Sequence, residues 1–361
     1  MTIAWHVDDL KISHVDPEAI EACIDWLSAL CSDEEIGVMK PKRGRAHDFL
    51  GMILDYSVEG ELHIKMDSYV ESMINNFPNP ELLKKKAATP AGDHLFEVNP
   101  EALKLLEDEA RIFHTIVAQG LFICKRARPD IMTAIAFLCT RVKDPDIDDW
   151  KKLIRLLCYL NSTKNYFLRL SADSMNMVSW EVDAAFAVHE DMKSHTGAVG
   201  SLGRGAFSAT STKQKLNTKS STEAELVGVD DVSHIIFWVR NFMNEQGYPI
   251  TENVIYQDNQ SAMLLEKNGY KSVGKRSRHI NIRYFFIKDR VERGEATIEY
   301  RPTDEMTADF FTKPLQGQKF KKFRDRILGM ESDSQDQSSG RSVLDVHGKA
   351  GMKIPARHQV F

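Results

Sequence analysis

Cysteine is scarce, and what there is has no metal-binding or redox spacing. The five residues Cys23, Cys31, Cys124, Cys139 and Cys158 all fall in the first half of the chain, with no C-x-x-C pair among them. That excludes a disulfide-built scaffold and a zinc ribbon, and it is the usage of reduced thiols in an intracellular protein. No apolar run is long enough to span a bilayer, and no signal peptide opens the chain, so membrane functions are not expected. Positive charge is not in excess either: 47 Lys and Arg face 52 Asp and Glu, a net charge of -5. Any contact with a polyanion must therefore come from local clusters of Lys and Arg. What is present is ordinary globular material, 42% hydrophobic and 27% charged over 361 residues, enough for two or three domains.

The most informative stretch runs from Lys215 to Asp231. Ser220 followed three residues later by Glu223 has the spacing of a capping box, which predicts a helix starting at Ser220. Leu226, Val229, Val232, Ile236, Val239 and Met243 then recur at steps of three and four, a core-facing stripe. Glu225 belongs to that stripe, four residues before Val229, whereas Glu223 lies about 200° around the helix from it at about 3.6 residues per turn. A carboxylate on the inner face of a helix is costly unless something pairs with it. Alone it could equally be a rim residue; further acids on neighbouring elements would decide.

Before that stretch, the first ten residues place Asp8 and Asp9 at the end of a short apolar, strand-like run, a pattern that any Asp-Asp turn between strands would also show. A helix is expected from Pro17 to Cys31, strands over Phe49–Tyr56 and Leu62–Met66, and a helix from an Asp67 cap to Phe77. A chain that opens on a strand with no earlier element to pair with it reads as starting partway through a domain. Pro90, Gly92 and Pro100 mark a linker. Three helical stripes follow, carried by Phe113 to Ile123, Ile131 to Val142, and Trp150 to Leu160. Lys125, Arg126, Arg128, Lys151, Lys152 and Arg155 fit a solvated helix face better than a phosphate contact.

After the helices, Val178, Trp180 and Val182 alternate with Ser179, Glu181 and Asp183, a strand ending near Asp183. Strands over Thr196–Leu202 and Ala206–Thr212 flank a Gly203-Arg204-Gly205 turn. Beyond the long helix, Val254 to Asp258 is a strand with an acid at its carboxyl end, where sites form in open α/β sheets. A helix over Ser277–Arg293, a strand over Ala296–Tyr300, and a final helix capped by Thr303, containing Asp309 and stopping at Pro314, complete the pattern. Asp183, Glu225, Asp258 and Asp309 thus fall one per element. Four converging acids make sense chiefly as a metal site. Mg²⁺ or Mn²⁺ prefers oxygen ligands, and two ions about 3.5–4 Å apart can hold both reacting oxygens of a phosphodiester.

With these residues in view, the chain resembles the Pol polyprotein of copia-type LTR retrotransposons. The matching motifs are Val7-Asp-Asp9, Arg128-Pro-Asp130, Ser220-Ser-Thr-Glu-Ala-Glu225, Gln257-Asp-Asn-Gln-Ser261, Arg278-His-Ile-Asn-Ile-Arg-Tyr284 and Ala308-Asp-Phe-Phe-Thr-Lys-Pro314, in that order from Ile3 to about Arg326. The resemblance implies a partial reverse transcriptase palm over 1–93, a helical thumb or connection over 94–175, and a ribonuclease H-like domain over 176–316. The last is a mixed five-stranded sheet with helices, α/β within an α+β whole. A basic extension and disordered tail would occupy 317–361. By the same resemblance Asp183, Glu225, Asp258 and Asp309 are the catalytic acids and ligands of two Mg²⁺ or Mn²⁺ ions, and Asp8 and Asp9 the palm pair.

The implied activity is hydrolysis of RNA in RNA:DNA hybrids, with a truncated RNA-directed DNA polymerase. The implied partners are the hybrid and the missing N-terminal reverse transcriptase portion, in a cytoplasmic particle or the nucleus. Two departures stand out: His6 replaces the Tyr usual before Val-Asp-Asp, and no His lies between Tyr300 and Asp309, where many ribonucleases H place one for product release. Lys275, Arg276, Arg278, His279, Arg283 and Arg290 form a candidate phosphate track, and Lys313 to Arg326 a second basic cluster. The competing expectation is a catalytically inactive nucleic-acid-binding remnant of a decayed or host-captured element.

Overall fold

The computed structural model describes residues 1–32, 37, 39–268 and 286–331. The chain divides into two compact units, Met1–His63 and Ile64–Met330, with the division falling inside β5 (Leu62–Lys65).

In the first unit, β1 (Thr2–His6) and β2 (Asp9–Ser13) form an antiparallel hairpin pairing His6 with Asp9 across a Val7-Asp8 turn. Val7 takes φ 52°, which a β-branched residue adopts only at a cost. Helix α1 (Pro17–Cys31) starts as expected, with Pro17 in the first turn and the Asp16 carboxylate accepting the Glu18 N–H; Ile20 and Ile24 are its buried residues. The expected strand over Phe49–Tyr56 is instead a hairpin of β3 (Ala46–Phe49) and β4 (Met52–Asp55). Leu50 and Gly51 both take positive φ, 52° and 74°, and turn the chain back.

The second unit opens with α2 (Asp67–Asn75), in which Asp67 is the first helical residue rather than a side-chain cap. Helices α3 (Glu107–Cys124), α4 (Met132–Arg141) and α5 (Ile147–Ser162) follow the three predicted stripes, burying Phe113, Ile116, Ile123, Ile135, Leu138, Leu153, Leu157 and Leu160. Arg128 is not on a solvated face. It is 1% exposed and donates to both carboxylate oxygens of Asp130 and to the Thr163 carbonyl, while Tyr159 donates to Asp130. Arg128-Pro-Asp130 is therefore a buried, fully paired knot that ties α5 to the turn before α4.

The sheet that follows contains β7 (Met177–Ala185), β8 (His195–Ser201) and β10 (Ser208–Lys213), together with β11 (Glu252–Gln257) and β12 (Thr297–Tyr300). Its order is β10-β8-β7-β11-β12; the first three strands are antiparallel neighbours, and β11 runs parallel to β7 and β12. The short strands β6 (Leu168–Ala172) and β9 (Gly203–Arg204) pair beside it. This is the mixed five-stranded ribonuclease H-like sheet that the sequence led us to expect.

Helix α6 (Ser221–Glu245) lays Val229, Val232, Ile236, Val239 and Met243 over Val178, Trp180 and Val182 of β7, Ile255 of β11 and Ile298 of β12. Helix α7 (Gln260–Asn268) follows β11, and α8, over residues 286–292, precedes β12. The final stretch differs from expectation. Instead of one helix capped by Thr303 there is a single 3-10 turn, Thr303–Glu305, and a four-residue α9 (Asp309–Thr312), separated by an extended Met306. Beyond it, α10 (Gly317–Leu328) buries Phe320, Phe323, Ile327 and Leu328 and ends on Gly329 at φ 69°, a left-handed C-cap. Among the described residues no helix is long and apolar enough to cross a membrane.

Candidate active site

The pleat of β7 sends Val178, Trp180 and Val182 into the core under α6, and leaves Glu181 and Asp183 on the opposite face. Asp183 is 3% exposed. The neighbouring parallel strand β11 ends at Gln257, so Asp258 stands at its carboxyl edge, beside the end of β7. Glu225, 5% exposed, reaches the same place from the first turns of α6. The Ser220 hydroxyl accepts the Glu223 N–H and starts that helix in the predicted register. The Glu223 carboxylate reaches back to the Lys219 N–H, one residue earlier than a strict capping box would have it.

One carboxylate oxygen from each of Asp183, Glu225 and Asp258 lies within 4.8 Å of the other two. The electrostatic consequence is visible in their proton affinities. Burial pushes the Asp183 carboxyl up to about 6; the Lys313 ammonium opposes that rise, the Asp309 and Asp258 charges add to it, and the Thr312 hydrogen bond works against it. Glu225 is held well above the usual carboxylate range by burial, then by the Asp183 and Asp258 charges, against a backbone hydrogen bond from Ala184. Its Oε2 is buried with no hydrogen-bond partner among the described residues. An all-oxygen donor set with an orphaned buried carboxylate oxygen is what a hard divalent cation fits, since it would satisfy that oxygen and relieve the mutual repulsion.

Asp309 comes to the same face but not into that group of three. Its Oδ1 accepts from Lys313 Nζ at 2.5 Å and its Oδ2 from Lys319 Nζ at 2.8 Å, and Lys313 also lies 3.6 Å from Asp183 Oδ2. The acids thus have protein partners that periodicity and motif did not reveal. The Thr312 hydroxyl donates to Asp183, and the Thr303 hydroxyl donates to Asp258 Oδ2 at 2.7 Å. Thr303, expected as a helix cap, serves the site instead.

The remaining candidates lie elsewhere. Asp8 and Asp9 are exposed at the hairpin tip of the first unit, and among the described residues they join no group of three metal-ligating side chains. Lys275, Arg276, Arg278, His279 and Arg283 lie outside the described residues. Arg290 is turned into the protein: it pairs with Glu295 at 2.8 Å and lies over the rings of Phe286 and Phe237, at 5.0 and 5.4 Å. In the second basic cluster, Lys322 donates to the Asp304 carbonyl and Arg326 to the Glu305 carbonyl and the Thr307 hydroxyl. With Lys319 these residues form one face of α10 at steps of three and four, turned toward the segment that carries Asp309. These three side chains reach protein groups of that segment.

No protein-family model matches the chain. Among curated proteins it is 27% identical over 334 residues to the retrovirus-related Pol polyprotein from transposon TNT 1-94 of Nicotiana tabacum, covering 91% of this chain and 24% of that protein. It is 29% identical over 329 residues to the corresponding polyprotein from transposon RE2 of Arabidopsis thaliana, covering 89% and 21%. The chain is similar to copia-type retrotransposon Pol polyproteins. It spans about a quarter or less of the length of these relatives.

Among solved structures, the foamy viral protease-reverse transcriptase in complex with an RNA/DNA hybrid is 13% identical with a TM-score of 0.46, covering 83% of this chain and 36% of that one. LC11-RNase H1, isolated from compost, is 12% identical with a TM-score of 0.28, covering 38% and 92%. The sheet order is that of a ribonuclease H-like fold, and the sequence is similar to retrotransposon Pol polyproteins.

Proposed function

We propose that this chain is a metal-dependent ribonuclease H that cuts the RNA strand of an RNA:DNA hybrid during reverse transcription, with Asp183, Glu225, Asp258 and Asp309 as its acids. The observation that carries the reading is the meeting of three carboxylates within 4.8 Å at the carboxyl ends of β7 and β11, one with an orphaned oxygen. Asp183, Glu225 and Asp258 would hold Mg²⁺ or Mn²⁺ directly. Asp309 stands beside them on the side of α9, its two oxygens anchored by Lys313 and Lys319. When bound, two such ions neutralise charge building on the phosphodiester and make water a stronger nucleophile.

The chain's own residues prepare that chemistry. Thr303 and Thr312 fix the carboxylates of Asp258 and Asp183 with hydroxyl hydrogen bonds. Glu225 must give up the proton that its burial favours before the site carries its full charge. By the resemblance to the retrotransposon Pol family, Asp8 and Asp9 would be the palm pair.

The test is cleavage of a hybrid with a labelled RNA strand by the full chain, with Mg²⁺ or Mn²⁺ supplied, beside Asp258→Asn. That substitution keeps size and removes charge, so cleavage should vanish while folding and hybrid binding persist. An Asp258→Asn protein that cuts as well as the parent would overturn the reading. Hybrid binding without cleavage by the parent would favour the inactive remnant, a reading to which the two lysines already seated on Asp309 lend weight.

A further inference from the structure

Glu181 lies two residues before Asp183 on β7 and on the same face of the sheet, yet it is no part of the group of three acids. It is 7% exposed, and its carboxylate is spoken for on both oxygens. Oε2 accepts the backbone N–H groups of Thr307 and Ala308, and Oε1 accepts from Arg301 Nη1 at 2.5 Å. Arg301 in turn lies flat over the Tyr256 ring, 3.6 Å from its centroid, and Tyr256 is the direct cross-strand neighbour of Glu181 in the β7–β11 ladder. Tyr256 also stands two residues before Asp258, as Glu181 does before Asp183. Each catalytic strand therefore carries an acid at its end and, one pleat back, a member of a clamp that closes on the 301–308 segment.

The segment is held elsewhere too, by Thr303 on Asp258 and by Lys322 and Arg326 on its carbonyls, but the two amides nearest Asp309 go to Glu181. Between the 3-10 turn at Thr303–Glu305 and the four-residue α9 there is no ladder and no long helix. Asp309 follows Ala308 directly, so whatever pins the Thr307 and Ala308 amides sets where the fourth acid stands relative to Asp183. A buried carboxylate accepting two amides and a guanidinium is a strong, directional anchor.

We propose that Glu181 is a positioning residue for Asp309: it holds the Thr307 and Ala308 amides, with Arg301 and Tyr256 holding Glu181 in turn, and so places the fourth acid against the other three. This rests on the nuclease reading for its catalytic consequence but not for its structural one. Displacing an acid by even an ångström from its place in a charged site costs rate rather than substrate binding.

The experiment compares the full chain with Glu181→Ala and Glu181→Gln. Glutamine keeps one carbonyl oxygen for the amides and loses the ion pair with Arg301. Hydrogen exchange followed by mass spectrometry should show faster exchange over residues 303–312 in Glu181→Ala, unchanged protection of the β7–β8 ladder, and an intermediate result for Glu181→Gln. On a hybrid substrate Glu181→Ala should lose on the order of tenfold or more in kcat with KM for the hybrid held within about twofold. It should also need a higher Mn²⁺ concentration for half-maximal Mn²⁺ binding by calorimetry. Unchanged exchange over 303–312 would overturn the proposal, as would a lowered melting temperature with kcat and Mn²⁺ binding intact, because a merely structural role predicts that pattern. If the parent chain cuts no hybrid, the nuclease reading fails, and exchange and Mn²⁺ binding still decide the role of Glu181.

Discussion

Gly197 sits directly opposite Asp183 in the β7–β8 ladder, and a side-chain carbon built on it would lie 2.6 Å from Thr312 Cγ2 and 2.9 Å from the Ala308 carbonyl oxygen. Both atoms belong to the short stretch that carries Asp309, so the missing side chain is what lets α9 close onto the sheet. Gly197→Ala is expected to push α9 outward, costing about 1–3 kcal/mol of stability and much of the cleavage rate. Gly228 on α6 is the control. A carbon there meets its nearest neighbours at an ordinary 3.6 Å, so Gly228→Ala should keep activity and gain up to about 1 kcal/mol from better helix propensity. Urea melts and hybrid cleavage on the two proteins check this, and equal effects at both glycines would sink it.

Glu223 and Glu225 are two residues apart, and the structure gives them different work. Glu223 braces the helix start through the Lys219 amide, so Glu223→Gln should cost about 1 kcal/mol or less and leave cleavage intact. Glu225→Gln removes a charge from the three-acid group and should abolish cleavage while the protein remains folded. The reverse pattern in a single-turnover assay would mean that the wrong acid has been assigned to the site.

How much of this was legible beforehand follows from what kind of signal each residue leaves. The register of α6, and with it the burial of Glu225, was readable because a capping pair and a long apolar stripe agree. The strand ends that place Asp183 and Asp258 were readable because β-alternation stops at an acid. Asp309 reads in the sequence as part of a helix capped by Thr303, but its own helix is four residues long, too short for periodicity, and its place is set by tertiary partners on β7, β8 and α10. Those partners are distant in sequence. Nothing local distinguishes Lys319, which holds Asp309, from an exposed lysine, and the basic cluster of α10 gave no sign that three of its members would reach protein partners. Glu181 did leave a trace: it is an acid on the same pleat as Asp183, in a strand whose other face is entirely apolar. The Leu50-Gly51 turn left none, since leucine is an unusual residue at positive φ.

Divalent cation binding should depend on pH through the middle of the acid range. Burial and neighbouring acids push the Asp183 carboxyl up to about 6 and hold Glu225 higher than usual. A cation must displace those protons, so Mn²⁺ affinity should rise as pH increases through about 6 and release protons on binding. The sign for stability is opposite. In the absence of metal the folded state keeps the Asp183 proton to a higher pH than the unfolded chain does, so this group's contribution to stability falls as pH rises from about 4 to about 6. Calorimetry in buffers of different ionisation enthalpy, at pH 5 and pH 7.5, reads the proton release. No change in Mn²⁺ affinity between those values would contradict it.

Glu266 offers a second test of the same linkage, at a buried acid whose charge also raises the Glu225 carboxyl. It lies on α7 at 1% exposure, and neither carboxyl oxygen has a hydrogen-bond partner of good geometry among the described residues. Burial therefore holds its carboxyl well above the usual range, against weaker pulls from Lys267 and the Gln257 amide. The folded state binds a proton there that the unfolded chain has released, so stability falls as pH rises above the ordinary glutamate range, by at most about 1.4 kcal/mol per pH unit for one proton. Replacing the carboxyl by an apolar side chain of similar length removes both the unsatisfied oxygens and that slope. Glu266→Met should stabilise the protein by about 1–3 kcal/mol at pH 7 and by less at pH 5, where the parent's carboxyl is neutral and less costly. Urea denaturation of parent and variant at both pH values measures the difference directly. A gain that is the same at pH 5 and pH 7 would mean that Glu266 is charged or partnered in the folded chain, and that its burial costs nothing that titrates.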